Sequence, residues 1–417
     1  MYKIIGCLIF VTLLLVGCSV TPSSDWTILV YMAADNSLTE DAIRDIIQMQ
    51  KGEFTDNINV IVQIDSREDN LFGHEPGGVR YKISPDAQSN TITSKVVEYM
   101  GQIDSGDYRT LAQFANWGYD RYPSRRRALI IWSHGSGWQH IPAQFCPDAS
   151  SGNFINIPQG ELRAALQIIR GKIDIFMMDA CGMQTVEVLS ELNQEVDYVI
   201  ASEIEMPFSG FPYHDILTNW EDFTSSSALA ESIALDYINS YFPGGSQFPG
   251  SAGFPLSISV MNTEKLTDLQ TAIQSFCDLA LQYPEQEIFW EARDQIQFSY
   301  NPLDTDVDIK DYFLKLQSLA DTDELQNATQ TVLDEIETAF PLQLHIVYPD
   351  DYSHIAGSAL IWFPTSINNF HNWKPIYENL NFAEVGWSDF LEYILIPDKK
   401  KLNFYTIDYP DRKPLAN

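Results

Sequence analysis

Two residues have the setting that chemistry needs, Cys181 and His134. The stretch Lys172 to Met183 reads KIDIFMMDACGM, and its apolar run from Ile173 to Met178 stops at Asp179, Ala180, Cys181 and Gly182. A short apolar block halted by small and polar residues has the form of a buried strand running into a loop. Val186, Leu189 and Leu192 then recur at helical spacing. The thiol is therefore offered where a strand ends and a helix begins, the edge at which open α/β sheets bind ligands. N–H groups at a helix start would favour its thiolate. A second stretch repeats the form: Ala128 to Trp132 is apolar, and Ser133, His134, Gly135, Ser136 and Gly137 follow. Two parallel strands ending in Ala-Cys and His-Gly would bring a nucleophile and a base to one edge. Taken singly, a cysteine is more often a buried small hydrophobe, and a histidine after a strand is usually structural. Two such blocks about fifty residues apart favour a catalytic pair over coincidence.

The elements that must carry this pair alternate between strand and helix. Trp26 to Ala34 is almost wholly apolar and reads as a strand buried on both faces. Asn59 to Asp65 is a second strand, and Val79 to Ile83 after Gly77-Gly78 is a hairpin or edge strand. Tyr108 to Tyr122, Gly160 to Arg170 and Ala228 to Phe242 read as helices; Tyr198 to Ser202 and Pro255 to Met261 read as strands. This alternation predicts an α/β fold, a mostly parallel sheet flanked by helices. At the end of the first strand, Ser37 and Glu40 have capping-box spacing. Asp35 there either lines the site or serves as a turn residue. Past residue 264 the texture is mostly helical, over 264–282, 285–298, 309–319 and 322–339, with a strand pair at Gln343 to Tyr348 and Ser358 to Phe363 that either packs on the catalytic sheet or extends it. The expected division is therefore a catalytic domain over 26–263 and a largely helical region over 264–417. Asp304, Asp306, Asp308 and Asp311 form an acidic run that reads as a solvated loop; it lacks the glycine and distal glutamate of a calcium-binding EF-hand.

The sequence resembles the clostripain family of cysteine peptidases, within the wider group of caspases, legumains and gingipains. TILVYMAADNSL (Thr27 to Leu38), ALIIWSHGSGW (Ala128 to Trp138) and FMMDACGMQTVEV (Phe176 to Val188) carry the resemblance. ASEIEMPFSGFPY (Ala201 to Tyr213) and GSALIWFP (Gly357 to Pro364) are weaker echoes. It implies a caspase-like α/β/α sandwich and peptide-bond cleavage by a Cys181–His134 dyad. By the same analogy the N–H groups of Gly135 and Cys181 would hold the oxyanion. Asp179, two residues before the cysteine, shares its face on an extended strand. In clostripain-like peptidases the matching acid lies at the base of the specificity pocket and selects Arg or Lys. The alternative for Asp179 is a cap on the following helix. The loop after the next strand helps build that pocket in the family, which implicates Ser202, Glu203 and Glu205. Gly182 stands where bulkier residues are common, and the two glutamates add acid that unsettles the exact specificity. No cofactor is called for; calcium dependence occurs in the family, but no ligand set identifies it. His140 is a competitor for the base, discounted because it does not directly follow the strand. Family members can be activated by self-cleavage after a basic residue in this region; residues 139–162 contain neither Lys nor Arg, so a single-chain active form is expected.

The formal charge of −32 and the lack of a basic cluster longer than Arg125 to Arg127 argue against nucleic acid and against anionic membrane surfaces as partners. The charge would attract peptide or protein substrates with basic residues, and it equally fits a plain solvated acidic surface. Residues 1–17 read as a signal peptide: a charged start, then an apolar run, Ile4 to Val16, too short to span a membrane. Leu15-Val16-Gly17-Cys18 resembles a bacterial lipobox, so Cys18 would be lipidated and residues 18–25 would be a tether. Ser19 rather than Asp follows, which by analogy favours the outer membrane. Cys146, Cys181 and Cys277 remain, an odd number without a disulfide framework. A reading from another class is a surface lipoprotein that uses a peptidase-like fold to bind peptides or glycans; keeping both His134 and Cys181 counts against it.

Overall fold

The computed structural model describes residues 24–67, 76–139, 144–192, 195–248, 255–296, 305–346 and 357–396. The signal segment, Cys18, most of the tether, His140, Asp304 and the tail after Ile396 lie outside the described residues. In order the elements are β1 (Ser24–Ala34), α1 (Thr39–Lys51), β2 (Ile58–Ser66), β3 (Gly77–Lys82), β4 (Lys95–Gly101), α2 (Tyr108–Arg121), β5 (Ser124–Trp132), α3 (Glu161–Ile168), β6 (Ile173–Asp179), α4 (Val186–Leu189), β7 (Val196–Ala201), α5 (Tyr213–Asn219), α6 (Ser226–Ser240) and β8 (Leu256–Asn262). The second half adds α7 (Leu266–Ala280), α8 (Glu287–Asp294), β9 (Asp306–Asp308), α9 (Ile309–Leu319), α10 (Asp323–Ala339), β10 (Leu342–Ile346), β11 (Leu360–Trp362), α11 (Ile367–Tyr377) and α12 (Trp387–Leu395).

Nine strands form one sheet in the order β10-β8-β7-β6-β5-β1-β2-β3-β4. The five in the middle, β7-β6-β5-β1-β2, are parallel, and the outer pairs on both sides are antiparallel. The central strands are apolar on both faces because helices cover both. On one face Ile28, Val30 and Met32 of β1 and Ile175 and Met177 of β6 join a core with α1, α5 and α6. On the other, Leu29 and Tyr31 of β1 and Phe176 and Met178 of β6 join a core with α2, α3 and the helices from α7 onward. That second core runs from Leu29 to Leu395, so residues on both sides of position 263 share it.

Three expectations are corrected. The strands near 343–363 do not pair with each other: β10 pairs antiparallel with β8 and extends the main sheet, while β11 pairs with β9 in a small separate sheet. The acidic run is no solvated loop. Pairing with β11 buries Asp306 and Asp308, and Asp308 caps α9 by accepting from Asp311 N at 2.7 Å. Ser37 does not cap α1; Leu38 holds that position with no side-chain bond, and Thr39 Oγ1 donates back to Ala34 O at 2.6 Å. β4 went unread in the sequence, since its residues are mostly exposed or half-buried and carry no apolar block.

Candidate active site

β5 and β6 are parallel neighbours in a register that sets Trp132 opposite Asp179. Ser133 N donates to Asp179 O at 3.1 Å, which carries the pairing one residue beyond the strand ends. The His134 and Cys181 loops therefore leave the sheet side by side, and the glycines let them close on each other. A Cβ on Gly135 would lie 2.9 Å from Cys181 O and 2.8 Å from Met183 Sδ, so no larger residue fits. Gly137, at φ +65°, turns its backbone towards Gly182 O in a conformation that favours glycine.

Cys181 is partly exposed, and its Sγ accepts from Met206 N at 3.3 Å. Burial pushes the thiol above its ordinary range; Glu205 and Asp179 add to this, and the Met206 N–H opposes it. The expected support from a helix start is missing. α4 begins only at Val186, capped by Thr185 Oγ1, which accepts from Val188 N at 3.1 Å, and the helix is a single turn that ends before Leu192. Burial also lowers the half-buried His134 below the ordinary imidazole range. Each shift favours the neutral form of its own side chain. His134 Nε2 lies 2.9 Å from Ser37 Oγ, at the end of β1. Sequence reasoning took Ser37 for a cap, because a capping box and a histidine partner 97 positions away look the same in one dimension.

Among the described residues the N–H groups of Gly135 and Cys181 donate to no backbone carbonyl, that of Cys181 interacting with its own thiol, whereas Gly182 N donates to Ile204 O at 3.0 Å and Gln184 N to Ser202 O at 2.9 Å. Asp179 continues the face of Ile175 and Met177 and is buried. Its Oδ2 accepts from Tyr213 Oη at 2.8 Å and from Phe211 N at 3.5 Å, and Gly210 lies so close that a Cβ would stand 2.8 Å away. Burial raises the Asp179 carboxyl to about 6, against the lowering effect of Tyr213 and Phe211. The capping alternative fails, since Thr185 caps α4. Tyr213 and Gly210, which no periodicity marks as functional, come to Asp179 by tertiary folding of the loop after β7.

Two expected pocket residues are corrected. Ser202 is buried, its hydroxyl donating to Ile204 O at 3.1 Å and accepting from Ile204 N. Glu203 is buried on internal partners: it accepts from Ser257 Oγ at 2.9 Å and pairs with Asp308. Burial and that second carboxyl raise Glu203 well above its ordinary value. Neither side chain is open to a substrate; successive residues at a strand end point to opposite faces. Glu205 is exposed beside the cysteine. Asp35 lines no catalytic surface: it is buried, and its carboxylate accepts from Ser150 N at 3.2 Å.

The second half of the chain braces both loops. Leu360 N donates to Gln184 O at 2.9 Å, and Trp362 N donates to the buried Glu187 Oε1 of α4 at 2.9 Å. Trp138, four residues after His134, packs edge-on against Trp362, with ring centroids 5.6 Å apart, and against Tyr377 at 5.4 Å.

The sequence profile described as the clostripain family matches residues 30–394. The fold is similar to that of a secreted C11 cysteine protease from Bacteroides thetaiotaomicron solved with an irreversible peptide inhibitor: TM-score 0.64, 23% identity, 88% of this chain and 99% of that one. It is also similar to an inactive zymogen C11 protease from Parabacteroides distasonis: TM-score 0.63, 22% identity, 88% of this chain and 99% of that one. No curated protein matches the chain.

Proposed function

Because the chain belongs to the clostripain family of cysteine peptidases, we propose that it is an endopeptidase cleaving after Arg, with Lys as the second choice, through Cys181 and His134. The observation that carries this is the side-by-side closure of the two loops, with Gly135 packed on the backbone of Cys181. Nε2 of His134 is taken up by Ser37, which leaves Nδ1 for the thiol. For Nδ1 to accept a proton, the imidazole must carry its own on Nε2, where Ser37 Oγ receives it. Ser37 is then a positioning residue that holds the basic tautomer.

In the reaction, Cys181 Sγ attacks the peptide carbonyl carbon and its proton passes to His134 Nδ1. The Gly135 and Cys181 N–H groups receive the charge that develops on the carbonyl oxygen. As the C–N bond breaks, the proton goes from His134 to the leaving amine, and a thioester remains on Cys181. Water, deprotonated by His134, hydrolyses it. A proton relay from a neutral thiol suits the raised Cys181 and lowered His134 better than a stored ion pair does.

Asp179 supports the basic preference. It is a buried carboxyl on the cysteine's face, with no cationic side chain bonded to it among the described residues. A guanidinium arriving there would form a charge-assisted, bidentate contact. Glu205 beside the cysteine would add to the attraction. The apolar leader, the Cys18 lipobox and the description of one structural neighbour as secreted support a location outside the cytoplasm, with a lipid anchor in the cell envelope. The test is a peptide library varied at the residue before the scissile bond, run with wild type and Cys181→Ala. Cleavage after Arg or Lys, absent in the variant, is expected. Cleavage after other residues would reject the specificity, and no cleavage at all would favour the peptide-binding lipoprotein.

A further inference from the structure

Three tyrosines, Tyr213, Tyr237 and Tyr241, lie within electrostatic reach of Asp179. Two of their hydroxyls are committed: Tyr213 Oη donates to Asp179 Oδ2 at 2.8 Å, and Tyr241 Oη donates to Gly210 O at 2.7 Å. The third is idle. Tyr237, on α6, is fully buried, and its hydroxyl has no hydrogen-bond partner. Packing holds the ring in place. It lies tilted against Phe211, whose N–H reaches Asp179, with centroids 5.1 Å apart, and edge-on to Tyr241 at 5.4 Å. Burial raises the phenol well above its ordinary value, and the charges of Asp179 and Cys181 raise it further.

A buried tyrosine hydroxyl usually finds a partner, and one left without is a cost that phenylalanine would avoid. Among the described residues the hydroxyls of Tyr312 and Tyr377 are also buried and unpaired. The charges that act on those two belong to Cys277 and Arg293, and to Glu187 and Cys277. Of these idle hydroxyls, Tyr237 is the one within reach of both the pocket acid and the candidate nucleophile.

We propose that Tyr237 is a specificity-determining residue of the Asp179 pocket, its hydroxyl oxygen accepting an N–H of the guanidinium of a substrate arginine. This rests on the pocket reading above. The chemistry selects arginine. A guanidinium carries N–H donors on every edge of its plane, so a carboxylate that takes one edge leaves others unpaired. In a buried pocket those donors need an acceptor, and the phenol oxygen has lone pairs to offer. A lysine ammonium concentrates its donors at one point and gains less from an acceptor set apart from the carboxylate. Asp179 and Tyr237 are both closed to solvent in the free chain. The basic side chain therefore enters by parting the turn from Pro207 to Gly210 from β6; Gly210, with no side chain, is a thin cover against the Asp179 carboxylate.

The test is Tyr237→Phe, which deletes the hydroxyl and keeps the ring, so the free chain is expected to melt at or slightly above the wild-type Tm. kcat/KM is measured on matched peptides with Arg, Lys and an uncharged residue before the scissile bond, with Asp179→Asn alongside. The Arg peptide should lose about tenfold to a hundredfold relative to the uncharged one, the range for a lost hydrogen bond to a charged group. The Arg-to-Lys ratio should fall by about threefold or more. Arg turnover within about twofold of wild type in Tyr237→Phe, with a collapse in Asp179→Asn, overturns this proposal and leaves the pocket standing. No wild-type preference for basic peptides, or Arg turnover unaffected by Asp179→Asn, overturns the pocket and this proposal with it. Equal losses on the Arg and Lys peptides would overturn the selection of arginine, and a Tyr237→Phe chain that melts several degrees lower would mean that the hydroxyl serves the fold instead.

Discussion

Replacing Asp179 with Asn separates the two consequences of burying a carboxyl without a cation. Asparagine keeps the shape and still accepts from Tyr213 Oη and Phe211 N, so only the charge changes. In the free protein that charge is a burden. The carboxyl sits at about 6 folded, against an ordinary 3.8. An acid whose pKa is raised by folding costs nothing at a pH below its unfolded value. It destabilises progressively as pH rises through the two values, and fully above the folded one. At neutral pH the cost is on the order of 3 kcal/mol, at about 1.4 kcal/mol per unit. Asp179→Asn is therefore expected to raise Tm at pH 7, and the gain should vanish near pH 4. In the proposed pocket, with a basic substrate bound, the same charge is the asset. Removing one partner of a buried ion pair costs about 3–5 kcal/mol, which is about two to three and a half orders of magnitude in kcat/KM for an Arg substrate. The assay is kcat/KM on matched peptides with Arg, Lys and an uncharged residue before the scissile bond, beside melting curves from pH 4 to pH 8. Loss on the basic peptides with little change on the uncharged one, in a protein that melts higher, is expected. An Arg peptide turned over within about threefold of wild type would refute the pocket assignment, whatever the melting curves show.

The remaining predictions concern the proposed dyad and its supports. Ser37→Ala should lower kcat by about tenfold with KM nearly unchanged, because it frees the imidazole's tautomer without touching substrate; Ser37→Thr should restore most of the rate. Alkylation of Cys181 by iodoacetamide should be slow at neutral pH and climb only above the ordinary thiol range, since burial raises the group; fast alkylation at pH 5–6 would mean a stored thiolate and defeat the neutral-pair mechanism. For basic peptides kcat/KM should fall as pH drops through about 6, where Asp179 takes up a proton, and the Asp179→Asn profile should lose that component. Glu203→Gln should leave kcat/KM unchanged and flatten the loss of stability with rising pH. Glu203, raised by burial and by Asp308, is best tolerated protonated, and the amide is permanently neutral.

Much of the site was legible because its parts are local. A buried strand and the loop that ends it are adjacent in sequence, so apolar blocks followed by His-Gly and Asp-Ala-Cys identify strand ends. If the strands are parallel neighbours, they also identify a shared edge. The same logic set Asp179 on the cysteine's face, two residues away. Reading failed where a residue's role depends on a partner far along the chain. Ser37 looked like a cap and bonds His134. Ser202 and Glu203 were grouped with the pocket by proximity to a strand end, yet both face internal partners. The acidic run at 306–311 looked hydrophilic, and pairing of β9 with β11 buried it.

What the sequence by itself determined is the chemistry available and the scaffold class: a thiol and an imidazole at strand ends, and five apolar blocks that only a doubly covered sheet can bury. Those are properties of composition and of periods two and 3.6, which short windows contain. Only the tertiary structure decided which groups surround Cys181 and His134. The β5–β6 register set Gly135 on the cysteine turn, and the loop after β7 brought Tyr213 to Asp179. Strand β11, nearly 180 residues after Cys181, braced α4 through Glu187. Those contacts are fixed by packing two cores against one sheet, a cooperative choice that no local window records.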